Sequence, residues 1–153
     1  MVLEIGTQAP PFKIEDSQGI MHSLTDYEGQ TIVLYFYPKD DTPGCTKEAC
    51  SFRDSYQDFK LAGVEVIGIS PDSTQSHNKF ADKYELPFIL LSDPDHKVCK
   101  AYGVWGLKKY MGREYEGVYR TTYIIGPTGE IKRVFENVKP SDHSQAVLEA
   151  VRQ

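Results

Sequence analysis

Apolar residues gather in short blocks along this chain, separated by turn-forming residues. The densest block is Ile32-Val33-Leu34-Tyr35-Phe36-Tyr37. It is β-branched and aromatic and reads as a buried strand. Helix-compatible sequence follows from about Gly44 to Phe59. Pro43 suits the first helical turn, where its missing N–H costs little, and Thr42 is the expected N-cap. Ala62-Gly63 ends this helix and Val64 to Ile69 starts a second strand, so the unit predicts a right-handed crossover with parallel pairing. Ser73 is the expected cap of a helix running to about Tyr84. Pro87 to Leu91 reads as a short strand, and Asp93 as the cap of a helix from Pro94 to about Tyr102. Residues 104–117, rich in Gly, Lys and Tyr, read as loop. Arg120 to Ile125 and Ile131 to Phe135 flank the turn Gly126-Pro127-Thr128-Gly129, a hairpin signal. Ser141 is the expected cap of a last amphipathic helix, with Ala146, Val147, Ala150 and Val151 facing inward.

The first thirty residues hold extended segments and turns. Pro10 and Pro11 keep Ala9 to Ile14 extended. The turn Asp16 to Gly19 leads into Ile20 to Leu24, which completes a hairpin, and Thr25 to Gly29 forms a turn or a single helical turn. The resulting order is β-hairpin, βαβ, αβ, α, β-hairpin, α. It predicts an α/β fold in one domain over residues 1–153, a mixed central sheet with helices on both faces and an N-terminal hairpin.

Composition narrows the function classes. A formal charge of −5 disfavours a general nucleic-acid or anionic-membrane binder. No stretch approaches the apolar length of a membrane span. The start, Met1 to Gly6, lacks the basic and apolar regions of a secretion signal, which points to the cytoplasm. Three cysteines in 153 residues are not a disulfide scaffold. In a reducing compartment a cysteine pair is more often catalytic or metal-binding. Zinc needs about four ligands in recognisable spacing. His22, His77, His96 and His143 are scattered and none pairs closely with a cysteine, so no metal site is expected.

The chemistry concentrates at Cys45. It falls in the first turn of the predicted helix, at the carboxyl end of the central strand, where free N–H groups and the helix dipole favour an anion. A thiol placed there ionises more readily than a free cysteine, and the thiolate is the nucleophilic form. The alternative, a small buried hydrophobe, leaves the strand–turn–helix arrangement around the sulfur unexplained. A redox cysteine at such a junction is thioredoxin-like by analogy.

Cys50 lies five residues later. In an intact α-helix the two Cα atoms would be roughly 8.7 Å apart and the side chains about 140° apart around the axis. A disulfide needs Cα atoms within about 7 Å, so bonding requires the first turns to unwind. Periodicity alone favours Cys50 as an inert core residue; proximity to an activated cysteine favours a redox partner. Cys99, in Lys97-Val98-Cys99-Lys100, has no local partner and reads as structural, with an alternative resolving role left open.

At these residues the chain resembles the peroxiredoxins, thiol peroxidases on a thioredoxin-like fold. Pro38-x-x-x-Thr42-x-x-Cys45 matches their active-site pattern, and Cys45-x-x-x-x-Cys50 matches the peroxiredoxin Q, or bacterioferritin comigratory protein, subfamily. The resemblance extends over nearly the whole chain, through Gly29, Leu91-Ser92-Asp93, Tyr102 to Gly106 and Arg120-x-Thr122-Tyr123-Ile124-Ile125. Leu107 and Gly126 depart from it, standing where acidic residues are usual. The resemblance implies that Cys45 is the peroxidatic thiolate and Cys50 the resolving cysteine. It implies that Thr42 hydrogen-bonds the thiolate and the peroxide, Arg120 stabilises the thiolate and leaving oxygen, and Pro38 shields the site. The N–H groups of Gly44 and Cys45 would hold the peroxide, and Glu48 would orient Arg120. The implied substrates are hydrogen peroxide and alkyl hydroperoxides, the implied reductant is thioredoxin or a similar dithiol protein, and the implied state is a monomer without metal, haem or flavin. From the residues alone, Thr42 also reads as a cap, Arg120 as a surface cation, Pro38 as a strand terminator and Glu48 as an exposed first-turn residue. Trp105 reads as a packing or loop anchor, and Lys108, Lys109 and Arg113 as a solvated loop. Two rival functions remain for the same residues. A disulfide oxidoreductase would favour a C-x-x-C pair, which is absent, and a redox sensor would use helix unwinding as its switch.

Overall fold

The computed structural model describes residues 2–141 and 143–152. The strands are β1 (Lys13–Glu15), β2 (Met21–Ser23), β3 (Thr31–Phe36), β4 (Val64–Ser70), β5 (Ile89–Ser92), β6 (Trp105–Tyr110), β7 (Arg113–Val118), β8 (Thr121–Ile125) and β9 (Ile131–Phe135). The helices are α1 (Pro43–Leu61), α2 (Thr74–Tyr84), α3 (Lys97–Ala101) and α4 (His143–Val151), and a 3-10 turn spans Leu24–Tyr27. The central sheet has the order β5-β4-β3-β8-β9. β3 runs parallel to β4 and antiparallel to β8, so the sheet is mixed, as expected.

β3 is apolar from Ile32 onward because it feeds two cores. Ile32, Leu34 and Phe36 point into one, with Val98, Cys99 and Tyr102 from the α3 region and Ala9 and Phe12 from the N-terminal segment. Val33, Tyr35 and Tyr37 point into the other, with Cys45, Phe52 and Phe59 of α1, Phe80 of α2 and Val147 and Leu148 of α4. A strand covered on both faces loses the alternation of a half-exposed one. Cys45 and Cys99 therefore lie in cores on opposite sides of the sheet.

Five expectations are corrected. Residues 104–117 are not loop: β6 and β7 pair antiparallel, with Tyr110 opposite Arg113. The turn between them is Met111-Gly112, both at positive φ (49° and 78°), which is the backbone of a tight two-residue hairpin turn. The hairpin lies outside the central sheet, so its strands carry no alternating apolar signal. The third helix starts at Lys97 rather than Pro94, because His96 adopts a left-handed conformation (φ 63°) immediately before it. Asp93 still caps it from a distance, accepting from the N–H groups of Val98 at 3.2 Å and Cys99 at 2.8 Å. The last helix starts at His143, so Ser141 is not at its cap; Asp142 between them lies outside the described residues. On that helix Ala146 is exposed and Leu148 is buried instead. The fifth strand begins at Ile89, past Pro87, whose ring nitrogen has no N–H for a ladder. Ser73 caps α2 as expected, its hydroxyl accepting from the Ser76 N–H at 3.1 Å.

Asp93 is fully buried, so Asp93→Ala leaves two buried N–H groups without an acceptor. We expect a loss of about 1–3 kcal/mol in chemical denaturation, with no change in the thiol reactivity of Cys45.

Candidate active site

The loop from Tyr37 to Thr42 carries the chain from the end of β3 to the start of α1. It is fixed by its own polar groups. The Tyr37 N–H donates to the Ile69 carbonyl at 3.1 Å, and the Asp40 N–H donates to Asp72 Oδ2 at 2.8 Å. Asp41 sits at φ 55°, a strained value that Asp tolerates better than most residues. Its carboxylate accepts from Lys83 Nζ and Tyr84 Oη, both at 2.8 Å. Thr42 occupies the N-cap position, but its side chain makes no capping bond. Its hydroxyl donates to the Lys39 carbonyl at 2.9 Å rather than to the Cys45 sulfur. Pro38 and Thr42 are half-buried.

Cys45 is the third residue of α1 and is 2% exposed. Arg120, on the link between β7 and β8, reaches it: Nη2 lies 3.3 Å from Cys45 Sγ. The other arm, Nη1, donates to Glu48 Oε1 at 2.8 Å. Arg120 is therefore not the surface cation that its position suggests in isolation; it is a fork held between a sulfur and a carboxylate. Burial disfavours its charge, but Cys45 and Glu48 outweigh this and hold the guanidinium above its usual range. Gly44 makes the approach possible. A Cβ there would lie 3.1 Å from Arg120 Nη2 and 3.4 Å from Pro140 Cγ. Pro140, which sequence reasoning missed, thus walls the site from the β9–α4 connection.

Glu48 is also not an exposed first-turn residue. It is fully buried, and its Oε2 has no hydrogen-bond partner among the described residues. Burial pushes its carboxyl from the ordinary 4.5 up to about 7, against the opposing pull of the Arg120 charge. Nearby, the buried Tyr35 hydroxyl also has no hydrogen-bond partner among the described residues. Its ring stacks on Phe52 of α1 with centroids 4.7 Å apart.

Cys50 is half-buried within the continuous α1, and all three cysteines are free. The structure is thus the reduced, helical state. Cys99 is fully buried; burial and the Asp93 carboxylate push its thiol well above the usual range. Lys108 is half-buried rather than part of a solvated loop, and donates to the Val118 carbonyl at 3.0 Å. Burial and the charge of Arg120 push its ammonium down, with Cys45 pulling the other way. Lys109 and Arg113 are exposed, as read. Trp105 anchors the hairpin: its ring stacks on His96 at 3.8 Å and its N–H donates to Glu116 at 2.9 Å.

A second cluster was hidden by sequence separation. Asp40, Asp72 and His77 bring potential metal-ligand atoms within 4.8 Å of one another. Those atoms are already engaged by internal hydrogen-bond partners, so a cation would have to displace them. No signal in the scattered histidines pointed to this grouping.

The whole arrangement has counterparts. The AhpC/TSA family model matches residues 5–134. Peroxiredoxin Bcp of Bacillus subtilis is 46% identical over 152 residues, covering 99% of this chain and 97% of that protein. A cysteine-to-serine variant of Xylella fastidiosa PrxQ superposes with a TM-score of 0.94 at 34% identity, covering 99% of this chain and 97% of that one. Xanthomonas campestris bacterioferritin comigratory protein, studied for its alkyl peroxide reduction activity, gives a TM-score of 0.88 at 36% identity, covering 99% and 96%. With a family match over most of its length and Bcp and PrxQ relatives covered almost end to end, this chain belongs to the AhpC/TSA family, as a peroxiredoxin of the Bcp/PrxQ kind.

Proposed function

We propose that this chain is a single-domain, monomeric, cytoplasmic peroxidase in which Cys45 attacks the peroxide and Cys50 resolves the product. The observation that carries this reading is the Arg120 fork, with one arm 3.3 Å from Cys45 Sγ and the other 2.8 Å from buried Glu48. The cation fixed beside the sulfur is placed to meet the negative charge that develops on the leaving oxygen. The thiolate attacks the terminal peroxide oxygen. The S–O bond forms as the O–O bond breaks, and protonation yields a sulfenic acid with water or an alcohol. The Cys50 thiol then displaces that hydroxyl as water, forming the Cys45–Cys50 disulfide. A dithiol protein such as thioredoxin reduces it by exchange. Both hydrogen peroxide and alkyl hydroperoxides fit this chemistry, and the Xanthomonas relative's alkyl peroxide reduction supports the second.

In this reading the N–H groups of Gly44 and Cys45 hold the peroxide, since first-turn donors of a helix have no intrahelical acceptor. Thr42 joins them by turning its hydroxyl from the Lys39 carbonyl toward substrate, and Pro38 with Pro140 keeps water out. Glu48 sets the angle of the guanidinium. The burial of Cys99 away from Cys45 favours Cys50 as the resolving residue.

Cys45→Ser should abolish peroxide-dependent oxidation of thioredoxin. Cys50→Ser should consume about one equivalent of peroxide and then stall with thioredoxin; steady turnover by this variant, read from NADPH consumption in the coupled assay, would remove Cys50 from the mechanism. Glu48 gives a pH prediction. With its carboxyl raised to about 7, the folded chain holds a proton that the unfolded chain has lost above 4.5. Its contribution to stability is present at low pH and is lost as pH rises through about 7. Glu48→Gln removes that titration, so its denaturation midpoint should fall less than the wild type's between about pH 5 and about pH 8.

A further inference from the structure

The loop that delivers Cys45 is bound to α2 through a buried hub to which the chemistry above gives no role. At its centre is Asp40, midway between Pro38 and Thr42. Asp40 Oδ1 accepts from the Tyr37 hydroxyl at 2.6 Å, and Oδ2 accepts from the Ser76 hydroxyl at 2.8 Å. Oδ2 also lies 2.7 Å from His77 Nδ1. The far nitrogen, Nε2, lies 2.8 Å from the Leu91 carbonyl. A carbonyl oxygen only accepts, so Nε2 carries its proton, and Nδ1 faces a carboxylate that already accepts two hydroxyls. The Tyr37 hydroxyl also lies 3.4 Å from Nδ1, so the imidazole is enclosed by Asp40, Tyr37 and the Leu91 carbonyl. Asp40 and His77 are 7% and 0% exposed. Polar groups enclosed in this way have only one another as partners, and their mutual hydrogen bonds fix the geometry of the loop.

The ties around Cys45 are unevenly placed. Upstream, the Asp40 hub and the Asp41 bonds to Lys83 and Tyr84 join the loop to α2. Downstream, Ser51 and Ser55 meet Ser144 of α4 at 2.5 Å and 3.2 Å, and Arg53 donates to the Tyr84 carbonyl at 2.8 Å. Between these anchors, from Pro43 to Cys50, the side-chain hydrogen bonds among the described residues are those that Arg120 makes to Cys45 and Glu48. The stretch containing both cysteines is held by helix backbone bonds, by the burial of Cys45 and Ala49 and by Arg120, between two ends anchored by further side-chain bonds.

We propose that the Asp40–His77 pair positions the catalytic loop for the peroxide step and stays in place, taking no part in the opening of α1, when Cys45 moves to Cys50. Asp40 and His77 are positioning residues: they act through Pro38 and Thr42, not on the peroxide. The first half of the proposal needs only Cys45 as nucleophile; the second rests on the Cys45–Cys50 reading given above.

The test separates the two steps. Asp40→Asn turns one acceptor oxygen into a donor facing other donors, and His77→Asn removes the opposing ring. Each variant and the double variant are mixed with hydrogen peroxide, quenched with a thiol trap and resolved by mass spectrometry. This gives the rate of Cys45 oxidation and the rate of disulfide closure separately, and denaturation curves report stability. The expected result is a loss of about tenfold or more in the oxidation rate constant, with closure not slowed. The double variant should lose no more than the worse single one, because the two side chains act as a unit. Folded variants that oxidise at the wild-type rate would overturn the proposal. So would variants in which both steps slow in proportion to lost stability, since that is a general structural effect. Should Asp40→Asn not fold, Ser76→Ala removes one donor from Asp40 at a half-buried position and should give a smaller loss of the same pattern; an unchanged oxidation rate there counts against the pair. A wild type that forms no Cys45–Cys50 link would end the resolving-cysteine reading while the oxidation rates still decide the role of the pair in the first step.

Discussion

The structure depends on one guanidinium shared between two acceptors. Arg120 enters from the β7–β8 link and bridges Cys45 and Glu48, which are three residues apart on α1. That spacing puts sulfur and carboxylate on neighbouring positions of one helix face. The bridge is confined by what surrounds it. Gly44 leaves room where any Cβ would press on the guanidinium, and Pro140 closes the side toward the β9–α4 connection. The fold serves this contact: β3 ends where the loop must begin, and β8, paired beside it, begins just after Arg120.

The site combines rigidity with built-in strain. Among the described residues, Glu48 is buried with one oxygen unpartnered, and Tyr35 is buried with its hydroxyl unpartnered. Each unmet group costs free energy in the helical state. Asp41 adds a left-handed backbone immediately before the N-cap. The N-terminal end of α1, which follows Asp41 and carries Glu48, bears costs that the later part of the helix, where Phe52 and Phe59 are fully enclosed, does not. The proposed disulfide needs that gradient. The segment bearing Cys45 must leave the helix while the rest of α1 stays seated on the sheet, held through Ser51 and Ser55 to α4.

Much of this was legible in the chain. The apolar run of β3, followed by Thr42-Pro43 and a helical stretch, located the nucleophile because each signal rests on local sterics and capping. The β8–β9 hairpin was equally plain, with its glycine turn and β-branched flanks. What escaped was set by contacts distant in sequence. His77 is drawn to Asp40 across thirty-seven residues, and no local pattern marks the pair. Glu48 looked solvent-facing until Arg120 arrived from residue 120 to cover it. Lys108 looked solvated because its acceptor is the cross-strand Val118 carbonyl. The β6–β7 hairpin escaped for another reason: Met111 takes the positive φ usually left to Asn or Gly.

The central claim is that Cys45 is the oxidised sulfur and that α1 opens to let Cys50 reach it. The most direct measurement is to mix reduced protein with one equivalent of hydrogen peroxide and map the products by non-reducing mass spectrometry. The account predicts rapid formation of a Cys45–Cys50 disulfide with Cys99 still a free thiol. A Cys45–Cys99 link would contradict the placement of the resolving cysteine, and an unreacted Cys45 would contradict the account at its root.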